Sequence, residues 1–314
     1  MEKKNKHKSV LLQEVISYLD PKPGETFIDA TIGFGGHSTE ILKSISPNGK
    51  LLGIDQDLEE LDWLGANTAQ KYTNLVLAKG NFSQIKKIAE NEGFDKVDGI
   101  LADIGVSSVQ LDKCERGFSL KNDGPLDMRM DKDRELTAAE VVNTYSEHDL
   151  TDIFSKYGEE RLSKTVAREI VTRRAQRPFT STLEFAGLVD SIYDKRGLKG
   201  LKVHPATRVF QALRIEVNDE LGSLQKFLPQ SLDLLAQKGR LAVITFHSLE
   251  DRIVKDFFQK EAKGCICPPE YPVCKCGHDV KVKILAKKPI LPSNEEIKDN
   301  PRSRSAKLRV IEKI

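Results

Sequence analysis

The chain has 314 residues, 39% of them hydrophobic, 31% charged and 6% aromatic, with 49 basic against 47 acidic side chains for a formal charge of +2. That length and apolar content suit one large domain or two of ordinary size, and exclude a disulfide mini-scaffold, a collagen-like repeat and a charged disordered chain. No apolar run approaches the roughly 18 residues of a membrane span, and no signal-like apolar stretch follows the basic N-terminus. A soluble cytoplasmic protein is therefore expected, and the near-zero charge by itself argues against a nucleic-acid partner.

In chain order, Thr26 to Thr31 reads as a short buried strand, followed by glycines at 33 to 36 and a helix from Ser38 to about Ser44. Lys50 to Asp55 is a second strand with a helical segment through Asp57 to Gln70, and Asn74 to Ala78 a third with a helix from Ser83 to Glu92. Val97 to Asp103 is the fourth. Strands alternating with helices at this spacing imply βαβ units and a parallel sheet covered on both faces. The next buried strand is Arg240 to Phe246, preceded by a helix from Asp219 to Gln237. Between Ser108 and Gly239 lie 132 residues, where a crossover needs on the order of 30, so roughly 100 residues remain after the ordinary crossover helix. Helical periodicity, as in Glu159 to Gln176 with Leu162, Val166 and Ile170 on one face, marks them as an inserted helical domain. The expected division is 1–110, 111–217 and 218–314, the outer two forming one interrupted sheet domain. Val280 to Ala286 and Lys307 to Glu312 would complete the sheet with an antiparallel edge.

The loop from Asp29 to His37 places Gly33, Gly35 and Gly36 between a strand and a helix, where backbone can approach a ligand and helix N–H groups are free. Asp55 follows Gly33 by 22 residues and ends the second strand, the position from which an acid accepts ribose hydroxyls. Ser38 stands where a dinucleotide fingerprint wants a third glycine, which favours S-adenosylmethionine, a ligand without a pyrophosphate. Phe82, after the third strand, is placed either against an adenine face or in ordinary core. Asp103 leaves a buried strand at the same edge, where an unpaired acid is costly, and Gln110 follows on its loop. His204 and His247 are read as hydrogen-bonded structural histidines, with a place in the substrate cleft left open for His247. Met128 and Met130 are read either as a lip over the site or as core.

Four of the five cysteines, Cys265, Cys267, Cys274 and Cys276, fall within 12 residues, which in a reducing compartment reads as a metal site rather than disulfides. The C-x-C pairs are tighter than the usual structural zinc spacing. Residues 161 to 214 carry twelve Lys or Arg against four acids, a local net charge of +8 balanced by −6 elsewhere. The overall neutrality thus conceals a basic segment of the kind that binds nucleic acid.

These motifs resemble the bacterial 16S ribosomal RNA cytosine-N4 methyltransferase family of the small-subunit methyltransferase H type. The stretches that carry the resemblance are His7-Lys-Ser-Val-Leu-Leu12, Asp29 to His37, Asp103 to Ser108 with Gln110 to Asp112, Arg116 to Ser119, Gly124 to Met130, His204 to Arg214, Thr245 to Arg252 and Asn300 to Ala306. The resemblance implies a Rossmann-like S-adenosylmethionine-dependent methyltransferase sheet with an inserted helical substrate domain. It implies cofactor binding by Gly35, Gly36, His37, Asp55, Phe82, Asp103 and Gln110. It further implies that the substrate is 16S rRNA within the small ribosomal subunit, methylated on the decoding-centre cytosine at position 1402 of the standard rRNA numbering. Asp103 or nearby backbone carbonyls would accept the amino proton, although many amino-methyltransferases follow this acid with Pro-Pro-aromatic and this chain has Ile104-Gly-Val106. Two rivals stay open: cytosine-C5 chemistry through Cys114, which lacks the usual proline neighbour, and a non-catalytic RNA-binding protein on a vestigial fold.

Overall fold

A computed structural model describes residues 8–198, 200, 203–268, 271 and 273–314. His7, Lys199 and Lys202, whose charge or motif entered the reading above, lie outside them. The chain divides into two compact units, Met1–Gly105 with Leu221–Ile314, and Val106–Glu220. Gln110 therefore belongs to the second unit, not to the sheet domain in which the sequence placed it.

In chain order the first unit opens with α1 (Leu12–Leu19), β1 (Thr26–Asp29), α2 (Gly36–Ile45), β2 (Lys50–Asp55), α3 (Leu58–Leu64), β3 (Leu75–Lys79), α4 (Ile85–Asn91) and β4 (Val97–Asp103). The second unit holds α5 (Ser108–Asp112), α6 (Ala138–Thr144), α7 (Glu147–Lys156), α8 (Ser163–Arg174), α9 (Thr182–Lys195) and α10 (Thr207–Asn218). The chain then returns through α11 (Glu220–Leu234), β5 (Leu235–Thr245), α12 (Ser248–Glu261), β6 (Val282–Ile284), α13 (Asn294–Asp299) and β7 (Lys307–Lys313).

The seven strands form one sheet in the order β3-β2-β1-β4-β5-β7-β6. Pairings among β1 to β5 are parallel, as the βαβ reading requires. Successive side chains alternate faces. Ile28, Leu52, Ile100, Leu241 and Val243 pack on one side with residues of α4, α11 and α12. Phe27, Leu51, Leu101, Ala242 and Ile244 pack on the other with residues of α1, α2 and α3. Burial on both faces explains why these strands read as continuous apolar runs. The order places a topological switch between β1 and β4, where successive connections leave in opposite directions and open a crevice at the strand C-termini.

Two expectations for the sheet change. β7 is antiparallel to β5 and β6 is antiparallel to β7, so the reversed strand is internal and the edge strand β6 runs with the parallel set. β5 begins at Leu235 rather than Arg240, because its first residues pass through an irregular register opposite Val97 to Gly99. Lys238 there has φ 67°, and Lys238-Gly239 reads in sequence as a turn.

The second unit is helical, with a core that includes Phe154, Val166, Ile170, Phe179, Phe185 and Leu213. Val166 and Ile170 lie on the buried face foreseen for α8, but the helix starts at Ser163 because Glu159, at φ 48°, cannot continue a right-handed helix. Met128 and Met130 are buried in this core, which settles the choice between lip and packing in favour of packing. The basic stretch is not one free surface either. Arg214 holds Glu220 through two bonds of 2.7 and 2.9 Å, Arg173 pairs with Glu184 at 3.1 Å, and Arg174 donates to the Val142 carbonyl at 2.7 Å. Arg161, Lys164, Arg168, Arg177 and Lys195 remain exposed.

Candidate active site

Three parallel strands end in aspartates at the crevice edge: β1 in Asp29, β2 in Asp55 and β4 in Asp103. The backbone meets the first two with donors. Asp55 accepts from the Gly33 and Asp57 N–H groups, both at 2.9 Å. Asp29 is buried and accepts from the Ser38 hydroxyl at 2.7 Å and the Thr31 N–H at 3.2 Å. The Thr31 hydroxyl in turn accepts the Asp103 N–H at 2.7 Å, joining the ends of β1 and β4. The first glycine loop is thus anchored by the carboxylate of the neighbouring strand.

Asp103 is different. Its Oδ1 is buried and has no hydrogen-bond partner among the described residues. Its Oδ2 lies 3.9 Å from Nδ1 of His37, whose Nε2 bonds the Val10 carbonyl at 2.9 Å. Burial, reinforced by the carboxylates of Asp29 and Glu250, pushes the Asp103 carboxyl up to about 8. Burial likewise raises Asp29 to about 6, against the pull of Ser38 and Thr31 and with added repulsion from Asp55. Burial raises Asp55 to about 6 despite the N–H groups that stabilise its charge. Carboxylates gathered against their own repulsion form an edge suited to a cationic ligand with hydroxyl donors.

The glycines are explained from within the chain. Gly35 has φ 72°, and a Cβ there would come within 2.7 Å of Leu64. At Gly36 a Cβ would lie 1.9 Å from the Ser9 hydroxyl, so this glycine admits the N-terminal segment against the start of α2. The turn after β3 is fastened to the end of β2 by an Asn81 side-chain bond to Gln56 at 2.8 Å. Next to it, Phe82 is half-buried and meets Phe227 edge-on, with ring centroids 5.3 Å apart.

The structure therefore groups Asp29, His37, Asp55 and Asp103 in one unit, with Phe82 just beyond β3 in the same unit. Gln110 is buried in the other unit, its side-chain oxygen accepting the Ser107 N–H at 3.1 Å in a capping box. Asp29 and Thr31 were missed as site residues, although the argument that singled out Asp103, an acid ending a buried strand, applies equally to Asp29. His247 caps α12, its ring accepting from the Glu250 N–H, and lies 3.0 Å from the Glu250 carboxylate. His204 accepts the Ala206 N–H and lies 3.2 Å from Asp190. Cys114 is exposed in the helical unit, outside the unit that holds Asp29, Asp55 and Asp103, with its thiol donating to the Glu115 carboxylate at 3.7 Å. No helix among the described residues is long and apolar enough to cross a membrane.

Comparison with known proteins gives a family match: a model described as the MraW methylase family covers residues 4–314. Ribosomal RNA small subunit methyltransferase H of Carboxydothermus hydrogenoformans is 49% identical over 308 residues, 98% of either chain. The protein of the same name from Heliobacterium mobile is 50% identical over 309 residues, 98% of this chain and 99% of its own. Among solved structures, one titled a putative rRNA-methylase from Clostridium thermocellum aligns over 98% of both chains at 12% identity and a TM-score of 0.45, which adds nothing to the topology described above.

Proposed function

We propose that this chain, which belongs to the MraW methylase family, transfers a methyl group from S-adenosylmethionine to the N4 amino group of a cytosine in 16S rRNA. The target is the decoding-centre cytosine that the sequence resemblance implies, in the small ribosomal subunit of the cytoplasm. The observation that carries the reading is the acid edge of Asp29, Asp55 and Asp103, with one buried carboxylate oxygen left without a donor. The names of the relatives support the rRNA substrate.

S-adenosylmethionine, when bound, supplies an electrophilic methyl group on a positively charged sulfur. Asp55, held in place by two backbone N–H groups, keeps lone pairs for the ribose hydroxyls. Phe82 offers an apolar edge for the adenine beside β3. Asp103 has the free oxygen to accept a hydrogen bond from the cytosine amino group, which localises its delocalised lone pair, and to take the proton afterwards. A cationic ligand beside Asp103 favours its carboxylate, so binding releases a proton from a group held near 8 in the ligand-free chain. The remaining work of the protein is alignment of the two reactants and exclusion of water. The exposed arginines and lysines of the helical unit supply phosphate contacts to the RNA.

The direct test is transfer of labelled methyl to small subunits lacking the modification, followed by nucleoside analysis. Label in N4-methylcytidine is the expected result; label on cytosine C5 or on adenine overturns the chemistry. Absence of cofactor binding by calorimetry would overturn the enzymatic reading in favour of a non-catalytic assembly protein.

A further inference from the structure

The connection from α12 to β6 contains all the remaining cysteines, and the methyltransferase site uses none of them. Its base is closed by the Lys281 N–H bonding the Glu261 carbonyl at 2.9 Å and by the His278 ring bonding the Lys260 carbonyl at 3.0 Å. Within it, the four sulfurs of Cys265, Cys267, Cys274 and Cys276 lie within 4.8 Å of one another. Cys276 is 3.5 Å from Cys274 and 3.8 Å from Cys265, sulfur to sulfur. These are non-bonded distances, and all four cysteines are free thiols. A zinc–sulfur bond of about 2.3 Å gives a tetrahedron whose edges are about 3.8 Å. Two of the six sulfur–sulfur separations thus match the edge of a mononuclear site, and none of the six exceeds 4.8 Å. An iron–sulfur cluster distributes its thiolates over several irons and needs them further apart.

A second, independent feature points the same way. Three backbone N–H groups aim at sulfur: Cys267 N–H at Cys265, Ile266 N–H at Cys276 and Lys275 N–H at Cys267, each with N···S 3.4 Å. Such donors stabilise charged sulfur, as the outer partners of metal-bound thiolates do. Among the described residues of the same segment, Ile266, Tyr271 and Val273 are exposed by 42%, 55% and 67% and build no apolar interior to hold it in shape. A fold this short without a core needs a staple.

We propose that Cys265, Cys267, Cys274 and Cys276 bind one zinc ion as a closed, four-thiolate structural site that pins the connection between α12 and β6. Binding replaces four thiol protons with the metal, so occupancy falls as pH is lowered. With all four positions filled by protein, the ion has no open site for substrate and takes no part in methyl transfer.

The test uses the full-length chain purified under reducing conditions from zinc-replete cells. Elemental analysis is expected to find one zinc per chain, and thiol titration of the folded protein to find only Cys114 reactive. Cobalt put in place of zinc should give the intense thiolate-to-metal bands and tetrahedral ligand-field bands of a four-sulfur site. Cys114→Ser should keep the metal, whereas Cys274→Ser with Cys276→Ser should lose at least tenfold in zinc content. If that double variant misfolds, chelation of the wild-type protein replaces it: metal removal should open the 262–281 segment to protease while the rest of the chain stays resistant. Less than a tenth of an equivalent of zinc with five reactive thiols in folded protein would overturn the proposal. So would bound iron, or disulfides among these four cysteines under the same conditions.

Discussion

The two units differ in how they arrange buried charge: one pairs it, the other crowds like charges together. In the helical unit the largest buried charges are met by the protein's own groups, although Glu160 Oε2 and Asp190 Oδ1 lack a partner among the described residues. Glu220 is gripped by both arms of Arg214, Glu160 accepts the Tyr193 hydroxyl at 2.7 Å, and Arg116 donates to the Met130 carbonyl at 2.8 Å. In the sheet unit, acids converge on the ends of β1, β2 and β4, repel one another, and leave Asp103 Oδ1 with no donor. Self-satisfied charge is scaffold. Acids crowded against their own repulsion at the switch point of a doubly wound sheet are the basis on which a ligand site is proposed there.

Substitutions can break this contrast on either side. The largest effect is expected from Asp103→Ala, which should slow methyl transfer by about 10²–10⁴-fold in single-turnover assays. Full turnover by the cofactor-saturated variant would move the proton acceptor to the nearby backbone carbonyls. On the helical side, Arg214→Ala should cost about 3–5 kcal/mol in denaturant unfolding, because it strands a buried carboxylate. Arg214→Met combined with Glu220→Gln should recover much of that loss, since it removes both charges.

The sign of the pH dependence distinguishes the two regions further. Asp103 binds its proton more tightly folded than unfolded, so between about pH 4 and its folded value near 8 the native state holds the extra proton, and stability falls as pH rises. Asp103→Asn removes that penalty. Its melting temperature should therefore rise above that of the wild type as pH is raised through this window, and the two should converge toward about pH 4. A parallel offset at all pH values would show that the carboxyl is not held protonated. Over the same range, S-adenosylmethionine should bind the wild type more tightly toward pH 8, with proton release measurable by calorimetry in buffers of different ionisation enthalpy. The smallest effects belong to exposed charge. Removing Arg161, Lys164 and Arg177 together should change folding stability by less than about 0.5 kcal/mol per site. It should lower the salt slope of RNA binding by about 0.7–0.9 for each phosphate that is no longer neutralised.

Much of the sheet was legible because strands buried on two faces write themselves as short apolar runs: β2 and β4 fall on the residues the sequence suggests. β5 was clipped because Lys238-Gly239 carries a turn signal inside a strand, and the direction of β6 was misjudged because it depends on pairing with β7, a partner over twenty residues away. The acids of the site were visible as residue types at strand ends. Their crowding was not, since the mutual repulsion of Asp29, Asp55 and Asp103 exists only once β1, β2 and β4 are neighbours. Charge counting failed in its own way. A count of twelve basic residues cannot show that Arg214 spends its charge on Glu220 or that Arg174 serves a backbone carbonyl. Met128 and Met130 illustrate the same limit, since the sequence left lip and core equally open and only long-range packing decides for core. The cysteine spacing, by contrast, was local information, and the sulfurs converge as their sequence proximity allows.

The pairing of β4 with β5 has a consequence for how the protein is made. These strands lie side by side at the centre of the sheet, Asp103 opposite Ile244, yet all of Val106–Glu220 is synthesised between them. A nascent chain therefore presents β1 to β4 with Val97–Asp103 as an unpaired apolar edge, while a complete helical unit is translated. At about 5–20 residues per second this interval lasts on the order of ten seconds, with the centre of the future sheet open to misassociation. The insertion that separates the two halves in sequence sets the time at which β4 gains its second neighbour.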